Sequence, residues 1–462
     1  MKRDENLLRV VVLAVSSLST FLIPFVVSSV NIALPSIGKE FSLNAVLLSW
    51  VITSYIIAAA IFLVPFGRIA DIYGRKKFFA VGVLLFSLTS LLCSLSRSIS
   101  MLLLSRVLQG ISAAMIFGTG TAILTSVYPL SERGKALGIN VAATYLGLSV
   151  GPFLGGLLTH YFGWRSIFLA IAPFGLVAFA LVLWKVKGEW AEAEGERFDL
   201  LGSLIYAAAI LAVMYGFSEL PALSGFWLIF AGIVGLALFV RWELRTMHPV
   251  LDVRLFRRNV AFAFSNLAAL INYSATYAVG FVLSLYLQYI KGFSADHAGV
   301  IMVAQPVMQF IFSPLTGWLS DRIEPRLLAS AGMALTAAGL LMLVALSFDT
   351  SVGYIVVCLL LLGLGFALFS SPNTNAVMSS VEKKFYGVAS GTLSTMRLAG
   401  QMLSMGILTL ILVLFLGRVQ IVPRYFPAFI RSAKTAFAVF AILCFIGIFA
   451  SLARGNLRTS ES

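Results

Sequence analysis

Two arginines stand inside long apolar runs: Arg106 in LSRVLQGIS and Arg397 in STMRLAGQM. An ionised side chain at membrane depth is costly unless it is paired, faces water or meets a charged solute. At about 1.5 Å per residue, Arg106 lies roughly 10 Å and Arg397 roughly 15 Å from the start of its run. No acid offers itself as a partner, because all 19 Asp and Glu fall in loops or near the ends of runs. That leaves backbone carbonyls, water or an anionic group on a solute. For Arg106 the reading is structure or coupling. For Arg397 a helix tie and a substrate contact both stand open.

A second group of residues sits at the membrane surface. Gly67-Arg68-Ile69-Ala70-Asp71-Ile72-Tyr73-Gly74-Arg75-Lys76-Lys77 places an acid between a helix end and a basic cluster. Asp71 is spaced to pair with Arg75 or to cap a neighbouring helix. A basic anchor alone needs no such acid. GWLSDRIEPR repeats the theme with Gly317, Asp321 and Arg322. Gly147, Gly151 and Gly155 fall at i, i+4 and i+8, so they share one helix face and admit a close neighbour. Pro152 weakens that helix locally, and Gly156 follows. Asn31 and Gln109, and with them Asn140, Tyr145, Asn266, Asn272, Tyr273, Tyr277, Gln305, Gln309, Asn373, Asn375 and Gln401, are polar within apolar runs. Singly each is more often interhelical glue, but as a set they suggest a neutral cavity with aromatic walls.

No paired carboxylates, Cys/His constellation, metal-ligand spacing or nucleotide loop is present. No catalytic residue, metal or cofactor is therefore assigned. Cys93, Cys358 and Cys444 each lie alone in an apolar run. His160, His248 and His297 sit near the ends of runs, without metal spacing.

These residues need elements to position them. The chain has 462 residues, of which 60% are hydrophobic and 11% charged. At about 20 apolar residues per crossing, this supplies roughly a dozen spans and far exceeds one soluble core. Runs near 8–34, 45–66, 77–96, 100–127, 134–160, 165–185, 199–219 and 224–242 are followed by runs near 259–290, 295–318, 327–347, 351–375, 387–416 and 433–454. Fourteen helices place both termini on one side. Of the 33 Lys and Arg, 23 fall on loops sharing that side, 8 fall opposite, and Arg106 and Arg397 lie within spans. This bias places both termini in the cytoplasm. It also accounts for the net charge of +14 by topology rather than nucleic acid. An offset of 253 superposes Gly110 on Gly363, Gly134 on Gly387, Gly138 on Gly391 and Gly147 on Gly400. An offset of 250 superposes Gly67 and Asp71 on Gly317 and Asp321. The implied order is six helices (1–190), an inserted pair (191–250) and six helices (251–462), a transporter architecture with the site between halves.

The motifs resemble the major facilitator superfamily, and within it the fourteen-span drug:proton antiporter branch. The carriers are the Gly67–Lys77 loop, similar to G-x-L-a-D-r-x-G-r-k-x, Arg106-Val107-Leu108-Gln109-Gly110, similar to R-x-x-q-G, and Gly147-x-x-x-Gly151-Pro152-x-x-Gly155-Gly156, similar to the motif associated with antiporters. The resemblance implies an all-α polytopic membrane protein of two six-helix bundles plus two inserted helices. It implies a plasma-membrane secondary exporter of hydrophobic or amphipathic small molecules by alternating access, acting as a monomer, with protons as possible co-substrate. Gly67, Asp71, Gly74, Arg75, Asp321 and Arg322 would gate. Gly147, Gly151, Pro152, Gly155 and Gly156 would supply flexible packing. Asn31, Ala33, Leu34 and Pro35 match the branch's first span, but its acid is Val26 here, and valine carries no proton. The alternative reading is a lipid, metabolite or anionic-amphipath transporter without proton coupling, holding negative charge on Arg106 or Arg397.

The charge bias makes the topology testable. Ser98→Cys is expected to react with a membrane-impermeant maleimide on intact cells, and Ser131→Cys only after permeabilisation. The reverse pattern would invert the assignment.

Overall fold

A computed structural model describes residues 2–247, 249–251, 253–382 and 386–455. His248 lies outside the described residues. Sixteen α-helices form the described chain: α1 Lys2–Glu40, α2 Ala45–Tyr73, α3 Arg75–Ser94, α4 Ile99–Val127, α5 Leu130–Phe162, α6 Arg165–Lys185, α7 Leu200–Glu219, α8 Leu223–Glu243, α9 Arg254–Arg258, α10 Val260–Leu285, α11 Ala295–Met302, α12 Ala304–Ser320, α13 Pro325–Val344, α14 Val352–Ser379, α15 Tyr386–Phe415 and α16 Phe426–Leu452. Fourteen spans are long and apolar enough to cross a bilayer. Hydrocarbon offers the backbone no partner, so each crossing satisfies its own hydrogen bonds as helix. One predicted span is two helices, α11 and α12. The break at Val303 follows from Pro306, which lacks the N–H that would reach Met302 and crowds that carbonyl. The span of α10 ends in a π-helical turn, Tyr286–Ile290.

Glycines set how the helices meet. A Cβ on Gly110 in α4 would collide with the Tyr55 carbonyl of α2, and one on Gly363 in α14 with the Gln305 carbonyl of α12. A Cβ on Gly147 in α5 would collide with the Phe21 carbonyl of α1. On Gly400 in α15 it would lie 2.6 Å from the Leu270 carbonyl of α10. Tyr55 and Gln305, like Phe21 and Leu270, stand about 250 positions apart, so each half makes the same two backbone contacts. Gly138 and Gly391 meet nothing within 4 Å. Gly134 and Gly387 lie where side-chain surroundings are not described.

The helix pair α7 and α8 packs through Gly216, Gly225 and Gly232. Tyr206 of α7 donates to the Ala60 carbonyl of α2 at 3.2 Å, and Phe217 lies against Gly406 of α15. The pair therefore lies along the seam between α2 and α15.

Contacts between the first six and last six spans gather on the face away from the termini. Ser284 donates to the Asn31 carbonyl, and Gln288 to the Ile32 carbonyl at 2.9 Å. Ser49 and Thr409 share a hydrogen bond of 3.1 Å. The Ala45 N–H donates to the Val419 carbonyl at 3.1 Å, and Gln420 donates to the Ser42 carbonyl at 2.8 Å. His160 on α5 faces Asp296 on α11 at 3.5 Å. These contacts join the halves around a cleft of about 550 Å³ lined by Gln288, Tyr289, His160 and Gln420.

Substitutions at these glycines separate contact from propensity. Gly110→Val is expected to lower the thermal unfolding midpoint in detergent, since forced overpacking costs about 1–3 kcal/mol. Gly391→Ala is expected to be neutral or to raise it, because alanine favours a helix by about 0.5–1 kcal/mol over glycine. Equal effects would show that Gly110 is not a contact.

Candidate functional site

The Gly67–Lys77 loop is built around a sharp corner. Gly74 has φ +117°, which L side chains rarely adopt, and a Cβ there would meet the Glu189 side chain. The corner ends α2 and turns the start of α3 toward residues 186–199. Nothing in the α3 sequence caps its first turn. Glu189 does so from afar, its Oε1 accepting from the Lys76 N–H at 2.7 Å, where the helix dipole favours negative charge. The Arg75 N–H donates to the Trp190 carbonyl, and the Ala193 N–H to the Asp71 carbonyl, both at 2.9 Å. The Arg75 guanidinium is nearly buried. It donates to Asp71 at 2.7 Å, to both Glu192 oxygens at 2.7 and 2.9 Å, and to Ser126 at 3.1 Å. Arg68 pairs with Glu196. An acidic strap from the end of the first half thus lies across the basic loop.

Asp321 is differently surrounded. Asn375 donates to it at 3.1 Å and to the Ser320 hydroxyl at 2.9 Å. The Arg322 guanidinium stacks 3.8 Å over Trp318. Gly67 and Gly317 meet little: a Cβ on Gly67 has nothing within 4 Å, and one on Gly317 only Ser371 at 3.8 Å.

The glycine stripe of α5 has two faces. Gly147, Gly151 and Gly155 lie on α1, where Ser29 donates to the Gly151 carbonyl at 2.9 Å and a Cβ on Gly155 would come 2.5 Å from that of Ser29. Pro152 and Gly156 lie on α11 of the other half. A Cβ on Gly156 would be 2.6 Å from the Ala295 carbonyl, and one on Gly299 would collide with the Pro152 carbonyl. One helix therefore joins its own half and the opposite half through adjacent glycines.

The cavity candidates do not converge on one place. Arg106 is 1% exposed. Its Nε donates to the Val51 carbonyl at 3.0 Å, another nitrogen to Gln109 Oε1, and its plane lies 4.4 Å over the Tyr55 ring. Gln109 donates onward to Ser90 at 2.8 Å. This group ties α2, α3 and α4 and presents no face to a solute. Asn373 also departs from the cavity expectation. It is 1% exposed, donates to the Ser265 carbonyl at 3.1 Å, and accepts from Arg454 at 3.1 Å. Burial pushes the Arg454 guanidinium down to about 10, against the opposing effect of the Glu324 charge. Gln309 is buried on α12, while Gln305 and Gln401 are half-buried. Asn31 sits where α1 meets α10, its Oδ1 buried without a hydrogen-bond partner.

One group does gather between the halves. Tyr145 of α5 shares a hydrogen bond of 3.0 Å with Ser370 of α14. Arg397 of α15 donates to Thr374 of α14 at 2.7 Å and lies 5.7 Å from the Tyr273 ring centre on α10. Tyr273 packs edge-on to Phe366.

The sequence profile of the Major Facilitator Superfamily matches residues 16–240 and 266–461. This chain belongs to that superfamily. Its members are transporters, not enzymes. The chain is 28% identical to the riboflavin transporter RibZ of Clostridioides difficile, over 95% of this chain and 96% of that protein. It is 33% identical to the multidrug resistance protein Stp of Mycobacterium tuberculosis, over 89% and 77%, and 31% identical to the drug efflux pump JefA of the same species, over 88% and 81%. A solved bacterial homologue of the lysosomal transporter Spinster, inward-facing and unoccupied, has the same fold, with a TM-score of 0.71, 16% identity and 98% of both chains covered.

Within this superfamily member, sequence reasoning missed the acidic strap. The signal was the run Glu189, Glu192, Glu194 and Glu196, opposite in sign to Arg68, Arg75, Lys76 and Lys77. Arg75→Ala is expected to free the strap, raising trypsin cleavage at Lys187 and Arg197 severalfold. The loss in stability is expected to be about 1–2 kcal/mol, since hydrogen bonds to charged groups contribute about 1.5–3 kcal/mol before solvent screening of the exposed Glu192. Glu192→Gln should act in the same direction but less. Unchanged cleavage in both variants would show that backbone contacts alone hold the strap.

Proposed function

We propose that the protein is a secondary active exporter of hydrophobic or amphipathic small molecules, working by alternating access. Residues 1–190 and 251–462 rock against each other, with 191–250 as the inserted pair. The observation that carries the reading is where the halves are joined: their hydrogen bonds gather on the face away from the termini, with an aromatic and polar group between them deeper in the bundle. With the termini in the cytoplasm, as the Lys and Arg bias argues, this state is the one in which an exporter loads. Two relatives bearing drug resistance or efflux in their names support the same class. Gly67, Asp71, Gly74 and Arg75, with Asp321 and Arg322, serve the cytoplasmic gate in this reading, and Gly147, Gly151, Pro152, Gly155 and Gly156 supply the flexible packing. Val26 has no titratable group, so proton antiport needs another proton carrier. A metabolite is the second reading, favoured because the riboflavin transporter matches nearly end to end.

The test is transport in proteoliposomes of neutral, cationic and anionic lipophilic dyes and of riboflavin, against empty vesicles, with and without a pH gradient. Dye movement above empty vesicles is expected. A gradient that accelerates it assigns proton antiport, and indifference assigns another driving force. Riboflavin movement alone establishes the metabolite reading, and no movement of any solute by folded protein overturns both.

A further inference from the structure

Arg106 and Arg397 lie within spans and Arg454 just past the end of α16, and their surroundings differ in kind. Arg106 is enclosed, and a carbonyl, an amide oxygen and a ring occupy its guanidinium. Arg454 is enclosed as well, bonded to the Ser451 carbonyl and hydroxyl, Ser265 and Asn373. Both are internal ties.

Arg397 is not. It stands eleven residues into α15, about 16 Å from the helix start. It is half-buried rather than enclosed. Its hydrogen bond goes to a neutral hydroxyl, that of Thr374. Its Nε is buried with no partner. Among the described residues no carboxylate lies within 4 Å of it, and no acid occupies the middle of any span. Tyr273 and Phe366 stand on one side, and Tyr145 of the opposite half bonds Ser370, one helical turn from the Thr374 that Arg397 holds. A guanidinium kept at mid-membrane without a counter-charge, beside aromatic rings and between the halves, has the make-up of an anion receptor. Its planar fork suits a carboxylate, sulfonate or phosphate, and the rings suit an apolar body. A cationic solute there would face the repulsion of an uncompensated guanidinium.

We propose that Arg397 is a substrate-binding residue and that the cleft selects amphipathic solutes bearing an anionic group, placed on Arg397 with the apolar part against Tyr145, Tyr273 and Phe366. This rests on the exporter reading for its transport consequence, but not for binding.

The probes are 2-naphthalenesulfonate and 2-naphthyltrimethylammonium, which share a body and carry permanent, opposite charges. Binding is measured by calorimetry on the purified protein, and counterflow in proteoliposomes. The sulfonate is expected to bind at least tenfold more tightly than the ammonium. Arg397→Gln should abolish that preference, and Arg397→Lys should retain part of it. Thermal unfolding checks that each variant is folded. If Arg397→Gln does not fold, Arg397→Lys and Tyr273→Leu carry the test, each expected to weaken sulfonate binding severalfold. Equal or tighter binding of the ammonium, no binding of either probe, or a sulfonate preference untouched by the Arg397 and Tyr273 variants would overturn the proposal. Sulfonate binding through Arg397 without counterflow would uphold the site and limit it to binding, the exporter reading being decided by the dye panel. Ammonium counterflow indifferent to Arg397 would uphold the exporter reading and remove the site.

Discussion

Inside a bilayer, one apolar helix gains nothing from hiding its surface against another, because lipid tails are as apolar as leucine. Helices then hold together by how closely their backbones approach. Gly110 on the Tyr55 carbonyl and Gly147 on the Phe21 carbonyl fix the first half, and Gly363 and Gly400 fix the second in the same way. Gly156 and Gly299 extend the device across the two halves. Contacts of this kind are dispersive and short-ranged, so they part over small displacements while the helices themselves stay intact. Between the halves such contacts stand beside single hydrogen bonds, among them Gln288 to the Ile32 carbonyl and Ser49 to Thr409.

The same surroundings dictate how charge is placed. Asp71, Arg75 and the strap carboxylates lie at a helix end, where partly exposed ions can be paired without full desolvation. At mid-depth the chain keeps basic charge only. Arg106 is neutralised geometrically, by carbonyl and amide oxygens, which is why its burial is tolerable. Arg397 lacks that enclosure, and the contrast between the two is more informative than either alone.

Much of this was legible in the sequence, for a physical reason. Hydrocarbon forces every crossing segment to be long, apolar and helical, so fourteen runs read as fourteen helices. The spacing of Gly147, Gly151 and Gly155 gave a shared face because helical periodicity is local. Which helix that face meets is tertiary information, and so was its division between α1 and α11. Asn373 looked like a cavity residue because polarity in an apolar run was the only signal. Whether such an amide faces a cleft or a neighbouring arginine depends on a residue 81 positions away. The strap was unread because Arg75 and Glu192 are 117 positions apart. The break at Val303 could have been read from Pro306.

The placement of α7 makes the two flanks of the molecule unequal. On one flank, α2 meets α15 behind two additional helices. On the other, where α5 meets α11 and α12, no further helix pair among the described residues covers the join, and Phe310, Ile311 and Leu315 of α12 stand exposed beside it. A molecule dissolved in the surrounding lipid therefore finds one flank walled off and the other bare. Any sideways passage between the hydrocarbon and the cleft has a handedness, set by which edge the extra pair occupies.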